Sequence, residues 1–244
     1  MPIITNAQWA ELHENGYFVW ENVFTPDEMA LLAAQIEAHQ KRHREQLESQ
    51  GGTQGISRAN EITFTIRLAE QDDAIRAFVM RPEFVALTTE LLGPDVDLYW
   101  NQAVFKAPEG QKEFPWHQDD GYTAVTPSPY LTLWLALNDA TPENGCISVL
   151  PGSYKRGLVP HRNSDIGLIC HATDDPNQGV LIPVRAGSMA VFWSLTMHKS
   201  GPNLSSGERK AFVIQYAQAG LRNAATGELV PDLMPLARDG AFQI

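Results

Sequence analysis

The chain has 244 residues with a formal net charge of −11, and 43% of its residues are hydrophobic. It is long enough to bury a full-sized core, and its acidity without a basic block argues against nucleic acid or an anionic membrane as a partner. It lacks an apolar run of about eighteen residues, a signal-peptide pattern and a disulfide framework, so we expect a cytoplasmic protein that does not span a membrane.

The first ninety-five residues are predicted to be mainly helical. Thr25-Pro26-Asp27-Glu28 has the form of a capping box with proline at the first helical position, and it begins a helix that runs to about residue 48. The glycine-rich segment 49–57 ends that helix, and a second helix over 82–92 stops at Gly93-Pro94.

Short segments rich in branched and aromatic residues predict strands, most of them after residue 95. They are 61–68, 96–106, 131–138, 146–150, 179–184, 188–193 and 210–217. Several short strands after a helical segment predict a β-sandwich or barrel with helices packed outside it.

Two side chains that can bind a metal stand close together in the stretch 116–122. His117 and Asp119 are two residues apart in a segment that is predicted to be extended, so both side chains leave the same face. His198 follows an apolar run and directly precedes a turn, which makes it the candidate third ligand.

The other histidines fit a ligand role less well. His13, His39 and His43 lie on helical faces where we expect solvated side chains. His161 and His171 fall in the long 152–180 connection, and neither stands at the end of a strand.

Two histidines and one aspartate make a facial triad, the usual ligand set of non-haem Fe(II) oxygenases. Zinc hydrolases more often use three histidines, or two with glutamate, so the residue types favour iron modestly and leave zinc open.

Arg209 follows His198 across the turn Ser205-Ser206-Gly207. A strand pair joined at that turn would set its guanidinium beside the metal, where the rigid fork suits the far carboxylate of a dicarboxylic co-substrate. An exposed arginine at the start of a strand is an equally good interpretation of this residue alone.

These motifs, taken in order, resemble the phytanoyl-CoA dioxygenase family over nearly the whole chain. They are Gly16-Tyr17-Phe18-Val19, Thr25-Pro26, Trp116-His117-Gln118-Asp119, the 131–137 strand, Glu143-Asn144-Gly145-Cys146, Pro151-Gly152-Ser153, His198-x-Ser200-x-x-Asn203 and Arg209. Tyr154 departs from the family pattern, because many members have histidine after Pro-Gly-Ser.

The resemblance implies a double-stranded β-helix, a jelly roll of the cupin type, buttressed by α-helices. Residues 1–244 would form a single domain. Its parts would be a mainly helical buttress over 1–95, a jelly-roll core over 96–217 and a C-terminal tail over 218–244.

The resemblance also implies the cofactors and the residues that bind them. His117, Asp119 and His198 would hold Fe(II), and Arg209 would pair with the C5 carboxylate of 2-oxoglutarate. Trp134 and Ser200 match positions that line the co-substrate pocket in relatives, although Trp134 could equally be packed in the core. Gln102 and Lys106 share a face of strand 96–106 and are placed near the co-substrate, with a solvated strand end as the alternative for Lys106.

The implied reaction uses O2 and 2-oxoglutarate, releases succinate and carbon dioxide, and hydroxylates a C–H bond. Related halogenases have a small residue where this chain has Asp119, so we expect hydroxylation over halogenation. Desaturation, epimerisation and ring formation stay open, as do two other classes: a zinc hydrolase and a jelly-roll binding module without catalytic activity.

The substrate is expected to be a small natural product or a derivative of an amino acid. Loops 49–60, 120–130 and 152–180 should surround the cavity mouth, with Arg58, Trp116, Tyr122 and Tyr130 as candidate substrate contacts. An acyl-CoA substrate is the alternative, and its phosphates would need a basic cluster such as Lys155, Arg156, His161 and Arg162. The sequence does not predict the oligomeric state.

Overall fold

The computed structural model describes residues 3–173 and 178–243, in which five α-helices and eighteen strands form. The helices are α1 Asn6–Asn15, α2 Pro26–Ser49, α3 Leu68–Gln71, α4 Asp73–Val79 and α5 Pro82–Leu92. The strands are β1 Tyr17–Trp20, β2 Thr53–Gln54, β3 Ser57–Arg58, β4 Ile62–Ile66, β5 Val96–Lys106, β6 Phe114–His117, β7 Val125–Thr126, β8 Leu131–Ala136, β9 Ile147–Val149, β10 His161–Ser164, β11 Gly167–Cys170, β12 Val180–Ile182, β13 Met189–Trp193, β14 His198–Ser200, β15 Arg209–Gln218, β16 Arg222–Asn223, β17 Met234–Arg238 and β18 Ala241–Phe242.

Two antiparallel sheets form the body of the molecule. The larger sheet runs in the order β1-β13-β8-β15-β5-β4-β3-β2, and β17 joins it by pairing with β5. The smaller sheet runs β12-β9-β14-β6. Between β5 and β15 the chain passes repeatedly from one sheet to the other, which is the topology of the predicted jelly roll, and the fold class is confirmed.

Strand β8 shows why the larger sheet is buried on both faces. Leu131, Leu133 and Leu135 belong to the core between this sheet and the helices. Trp134 and Ala136 belong to the core between the two sheets. Side chains of a strand point alternately to opposite faces, so a sheet covered on both sides needs a continuous apolar strand.

Most predicted elements are confirmed within two residues of their ends. The structure begins α2 with the Thr25 capping box and ends α5 at Leu92. Helix α1, capped in the same way by Thr5 and Gln8, was not predicted. No helix among the described residues is long and apolar enough to cross a bilayer.

The larger sheet extends beyond the 96–217 segment that was predicted to form the jelly-roll core. The N-terminal segment contributes β1, which pairs with β13, and β4, which pairs with β5. The C-terminal segment contributes β17 to the same sheet. Both segments therefore complete the jelly roll as well as flanking it.

Candidate active site

The three predicted ligands converge at one point. His117 ends β6, His198 begins β14, and the pairing of these strands sets the two residues opposite each other. A carboxylate oxygen of Asp119 lies 3.8 Å from Nε2 of His117 and 3.7 Å from Nε2 of His198. The three donor atoms lie within 4.8 Å of one another, close enough to share one ion.

Backbone carbonyls fix how the two imidazoles face that point. Nδ1 of His117 donates to the carbonyl of Pro115 at 2.8 Å, and Nδ1 of His198 donates to that of Thr196 at 2.9 Å. Each Nε2 is left with its lone pair toward the shared position, the arrangement usual for metal-binding histidines. Burial, with a contribution from His198, lowers the pKa of His117 well below its ordinary value, which favours the neutral form that binds a metal.

Asp119 is held by two contacts that leave one oxygen free. Its N–H donates to the carbonyl of Ser194 at 2.9 Å, and its Oδ2 accepts from the hydroxyl of Thr132 at 2.6 Å. Oδ1 is the atom nearest both histidines. The extended segment predicted here ends earlier than expected, because β6 stops at His117 and Asp119 opens a 3-10 turn.

Gln118, between the two ligands, is fully buried and points away from the metal position. Its amide nitrogen donates to the carbonyls of Gly157 and Leu195, and its carbonyl oxygen accepts from the N–H of Val159. Its backbone N–H donates to Nε2 of His161 at 3.0 Å. His161 therefore supports the ligand segment from outside the metal position.

Arg209 is a fully buried cation without a carboxylate partner among the described residues. One terminal nitrogen donates to the carbonyl of Val104 at 3.1 Å, while Nε has no hydrogen-bond partner in the described part of the chain. The guanidinium lies 5.1 Å from the ring centroid of Trp134. Burial lowers the pKa of Arg209 to about 10, so it stays charged near neutral pH.

The predicted strand pair between His198 and Arg209 is wrong. Arg209 begins β15 in the larger sheet, whereas His198 begins β14 in the smaller one. The chain crosses between sheets in this interval, so Arg209 faces the metal position across the sandwich instead of lying beside it. The expected proximity survives because both residues line the same cavity.

That cavity has a volume of about 570 Å³ and lies between the sheets. All three metal ligands and Arg209 line it, together with the predicted residues Gln102, Trp134, Ser200, Tyr122 and Tyr130. The walls are mainly aromatic and aliphatic, so a ligand inside is shielded from water.

Lys106, Trp116 and Arg58 do not line the cavity. Nζ of Lys106 hydrogen-bonds to the carbonyls of Lys112, Ser200 and Gly201, because the face that Lys106 shares with Gln102 extends past the end of the cavity. Trp116 packs with the apolar cluster that contains Leu150 and Met197.

Arg58 joins two surface loops instead of facing a substrate. Its guanidinium donates to the carbonyls of Gly55, Ser57 and Asp165. From the loops expected at the mouth, 54–57, 122–123 and Tyr130 line the cavity, and no described residue of 152–180 does. Residues 174–177 of that loop lie outside the described residues.

With this geometry established, the chain can be compared with known proteins. The family model described as phytanoyl-CoA dioxygenase matches residues 12–211. The chain belongs to the phytanoyl-CoA dioxygenase family.

Two relatives and one solved structure are similar to this chain. The probable alpha-ketoglutarate-dependent hypophosphite dioxygenase of Stutzerimonas stutzeri is 30% identical over 87% of this chain and 78% of its own length. The peroxisomal phytanoyl-CoA dioxygenase of Mus musculus is 25% identical over 89% of this chain and 69% of its own length. The crystal structure of the non-heme alpha ketoglutarate dependent carbocyclase SnoK from nogalamycin biosynthesis superposes with a TM-score of 0.74 at 22% identity, covering 95% of this chain and 96% of that one.

Membership of the phytanoyl-CoA dioxygenase family and the His-Asp-His site confirm the predicted enzyme class, a non-haem iron dioxygenase that depends on 2-oxoglutarate. The residues present fit both groups. Three convergent donors suit Fe(II), and the unpaired Arg209 suits the far carboxylate of the co-substrate.

Sequence reasoning missed several cavity residues of this family member. Thr132 could have been found, because it lies two residues before Trp134 on the same face of β8. For Tyr99, Trp100 and Gln215 the sequence predicts a strand but does not indicate that the side chains line a cavity.

The expectation of solvated histidines was wrong at two positions. His39 is 2.9 Å from Asp72, and His43 reaches the cavity from α2. The spacing of apolar residues along a helix does not show whether the helix passes the edge of a sheet. The sequence alone therefore could not place His43 at the cavity.

Proposed function

We propose that this dioxygenase hydroxylates a C–H bond of a small organic molecule and releases succinate and carbon dioxide. One observation carries the proposal: a single apolar cavity holds both the three-ligand metal position and an unpaired, buried arginine. A cavity with these two anchors leaves the rest of its volume to a substrate.

The roles of the side chains follow from their contacts. His117, Asp119 and His198 would hold Fe(II), and Arg209 would neutralise the C5 carboxylate of 2-oxoglutarate. When bound, these groups supply an oxidation in which one oxygen atom of O2 enters the product alcohol and the other enters succinate. Thr132 orients Asp119, and the aromatic walls exclude water.

Asp119 supports hydroxylation as the outcome. Its carboxylate takes the third ligand position and is fixed there by Thr132, which leaves no place for a halide among the protein ligands. Desaturation and epimerisation need the same ligands, so product analysis must separate them.

A small substrate is better supported than an acyl-CoA thioester. The four basic residues that could have bound its phosphates do not line the cavity. Lys155 lies 3.1 Å from Glu14, and Arg156 donates to the carbonyl of Ala172. His161 is engaged by Gln118.

We also propose that residues 1–244 act as one domain in the cytoplasm, on a small-molecule substrate and without nucleic acid or membrane partners. One apolar core includes residues from Ile4 to Ala237, which supports a single unit. Cys146 and Cys170 are buried free thiols, which supports a reducing compartment.

A substrate screen tests the reaction. Candidate small molecules are incubated with Fe(II), 2-oxoglutarate and ¹⁸O2, and succinate and product masses are recorded. If the reaction is a hydroxylation, the product should carry one ¹⁸O atom, and the Asp119→Gly variant should not form this product. A product that lacks two hydrogens, or one of unchanged mass, would contradict hydroxylation.

A further inference from the structure

The charges that line the cavity are few and are already assigned. Of the described lining residues, only Asp119, Arg209 and Lys199 carry a formal charge at neutral pH. Asp119 belongs to the metal position and Arg209 to the co-substrate. The substrate must therefore be recognised by what remains.

The ammonium of Lys199 does not serve the cavity. It lies 3.5 Å from a carboxylate oxygen of Glu113 and 5.5 Å from the ring centroid of Trp116. Neither of these residues lines the cavity, so the charge of Lys199 is directed away from it.

The remaining walls are neutral: aromatic and aliphatic side chains form most of them, with a few uncharged amide and hydroxyl groups. They include Phe64, Tyr99, Trp100, Phe114, Tyr122 and Tyr130. Burial raises the pKa of Tyr99, that of Tyr122 to about 12 and that of Tyr130 well above its usual range, so all three remain neutral phenols. A buried charge without a partner is strongly disfavoured, and these walls offer none.

Three neutral hydrogen-bonding side chains, those of His43, Gln54 and Ser57, stand where the sheet edge β2–β4 borders the cavity. His43 reaches this edge from α2, and its Nε2 lies 3.5 Å from the hydroxyl of Ser57. Its Nδ1 makes no hydrogen bond to any described residue. Burial lowers the pKa of His43, which favours a neutral imidazole that can donate or accept.

We propose that the substrate is an uncharged, mainly apolar molecule whose hydrogen-bonding group is held by His43 at the β2–β4 edge of the cavity. This inference rests on the proposed function and narrows it, because a free amino acid would bring an ammonium group for which the cavity has no spare carboxylate. Neutral oxygenated or amide-bearing molecules with an apolar body fit these walls.

Three matched probes test the charge preference. Phenylbutyramide, phenylbutyrate and phenylbutylamine share an apolar body and differ in head-group charge. Calorimetric titration into the anaerobic protein loaded with Fe(II) and 2-oxoglutarate should show the amide binding at least tenfold more tightly than the amine, with the carboxylate also weaker than the amide. Amine or carboxylate binding as tight as the amide, or an amide with no detectable binding, would overturn the inference.

Variants locate the head group. His43→Leu should weaken amide binding about tenfold, and His43→Gln, which keeps a hydrogen-bonding group, should restore most of it. Gln54→Glu places a carboxylate on the same edge and should improve amine binding several-fold relative to the amide. Gln46→Glu, the same change on α2 outside the cavity lining, should not. The placement of the head group would be refuted if Gln54→Glu and Gln46→Glu changed amine binding equally, or if His43→Leu bound the amide as tightly as wild type.

The visible charge-transfer band of the protein with Fe(II) and 2-oxoglutarate distinguishes a failure of the cofactor assignment from a failure of the inference about the substrate. If the band fails to form, the iron and 2-oxoglutarate assignment itself is wrong. If it forms normally and the amine binds as tightly as the amide, only the inference about the substrate fails.

Discussion

Arg209 is a buried cation with no carboxylate partner among the described residues. Within residues 3–173 and 178–243, its Nε has no hydrogen-bond partner, and the side chain is fully buried. Burying an unpaired charge costs free energy. A bound anion, such as the carboxylate of the co-substrate, would offset this cost.

Replacing this cation should separate stability from co-substrate binding. Arg209→Met should leave the unfolding free energy of the empty protein unchanged or raise it by about 1–4 kcal/mol, since it removes a desolvated charge. 2-Oxoglutarate at a hundred times its Kd should stabilise the iron-loaded wild type by about 2.7 kcal/mol and the variant hardly at all. Urea unfolding with and without the co-substrate measures both effects.

Lys210→Met is the matched control, because it removes the neighbouring cation, which is paired with Glu37 at 2.5 Å outside the cavity. It should keep the full stabilisation by 2-oxoglutarate. Stabilisation that persists in Arg209→Met would show that this arginine does not bind the co-substrate.

Thr132 orients a metal ligand without binding the metal. Its hydroxyl donates to Oδ2 of Asp119 at 2.6 Å. Residues that orient metal ligands in this way typically contribute ten- to a hundredfold in metal affinity, so Thr132→Val should weaken Fe(II) binding by about that factor. Thr65→Val removes another buried hydroxyl, on β4, and should not change the affinity. Anaerobic titration with Fe(II) compares the two variants with wild type. An affinity of Thr132→Val equal to that of wild type would argue against the orienting role.

At the scale of elements, the capping box, β5 and α5 could be predicted because local residues determine them. The sheet to which a strand belongs could not. The turn 205–207 predicts a hairpin by its composition, yet β14 and β15 lie in different sheets. Likewise, alternation places Gln102 and Lys106 on one face of β5 but does not show where the cavity under that face ends.

Lys106 connects two elements through its buried amino group. On β5 it stands opposite Arg209 of β15, and it donates to the carbonyls of Ser200 and Gly201 at the end of β14. Burial, with a smaller contribution from Arg209, lowers the pKa of Lys106 from 10.5 to about 6. This strand end is therefore sensitive to pH.

The sign of the effect follows from proton uptake. Between pH 6 and pH 10 the unfolded chain binds a proton at Lys106 that the folded protein does not, so this residue adds to stability as pH rises. The unfolding free energy of wild type relative to Lys106→Met should therefore grow by a few kcal/mol from pH 6 to pH 9. Urea unfolding of both proteins without metal measures it. A difference that is constant or shrinks would contradict the lowered pKa.

At the scale of the whole molecule, the site exists only where the two sheets meet. The smaller sheet contributes His117 and His198, and the larger contributes Thr132, Trp134 and Arg209. The residue types could be predicted from the sequence, since each motif is local. The shape of the cavity and the approach of His43 depend on how sheets and helices pack, which no local pattern contains.

The most direct test is the weak visible charge-transfer band that forms when Fe(II) and 2-oxoglutarate bind together without oxygen. Wild type should show the band, His198→Ala should lose it, and Arg209→Met should require far more 2-oxoglutarate to produce it. Absence of the band in wild type, or an unchanged band in His198→Ala, would contradict the assignment of His117, Asp119 and His198 as the iron ligands.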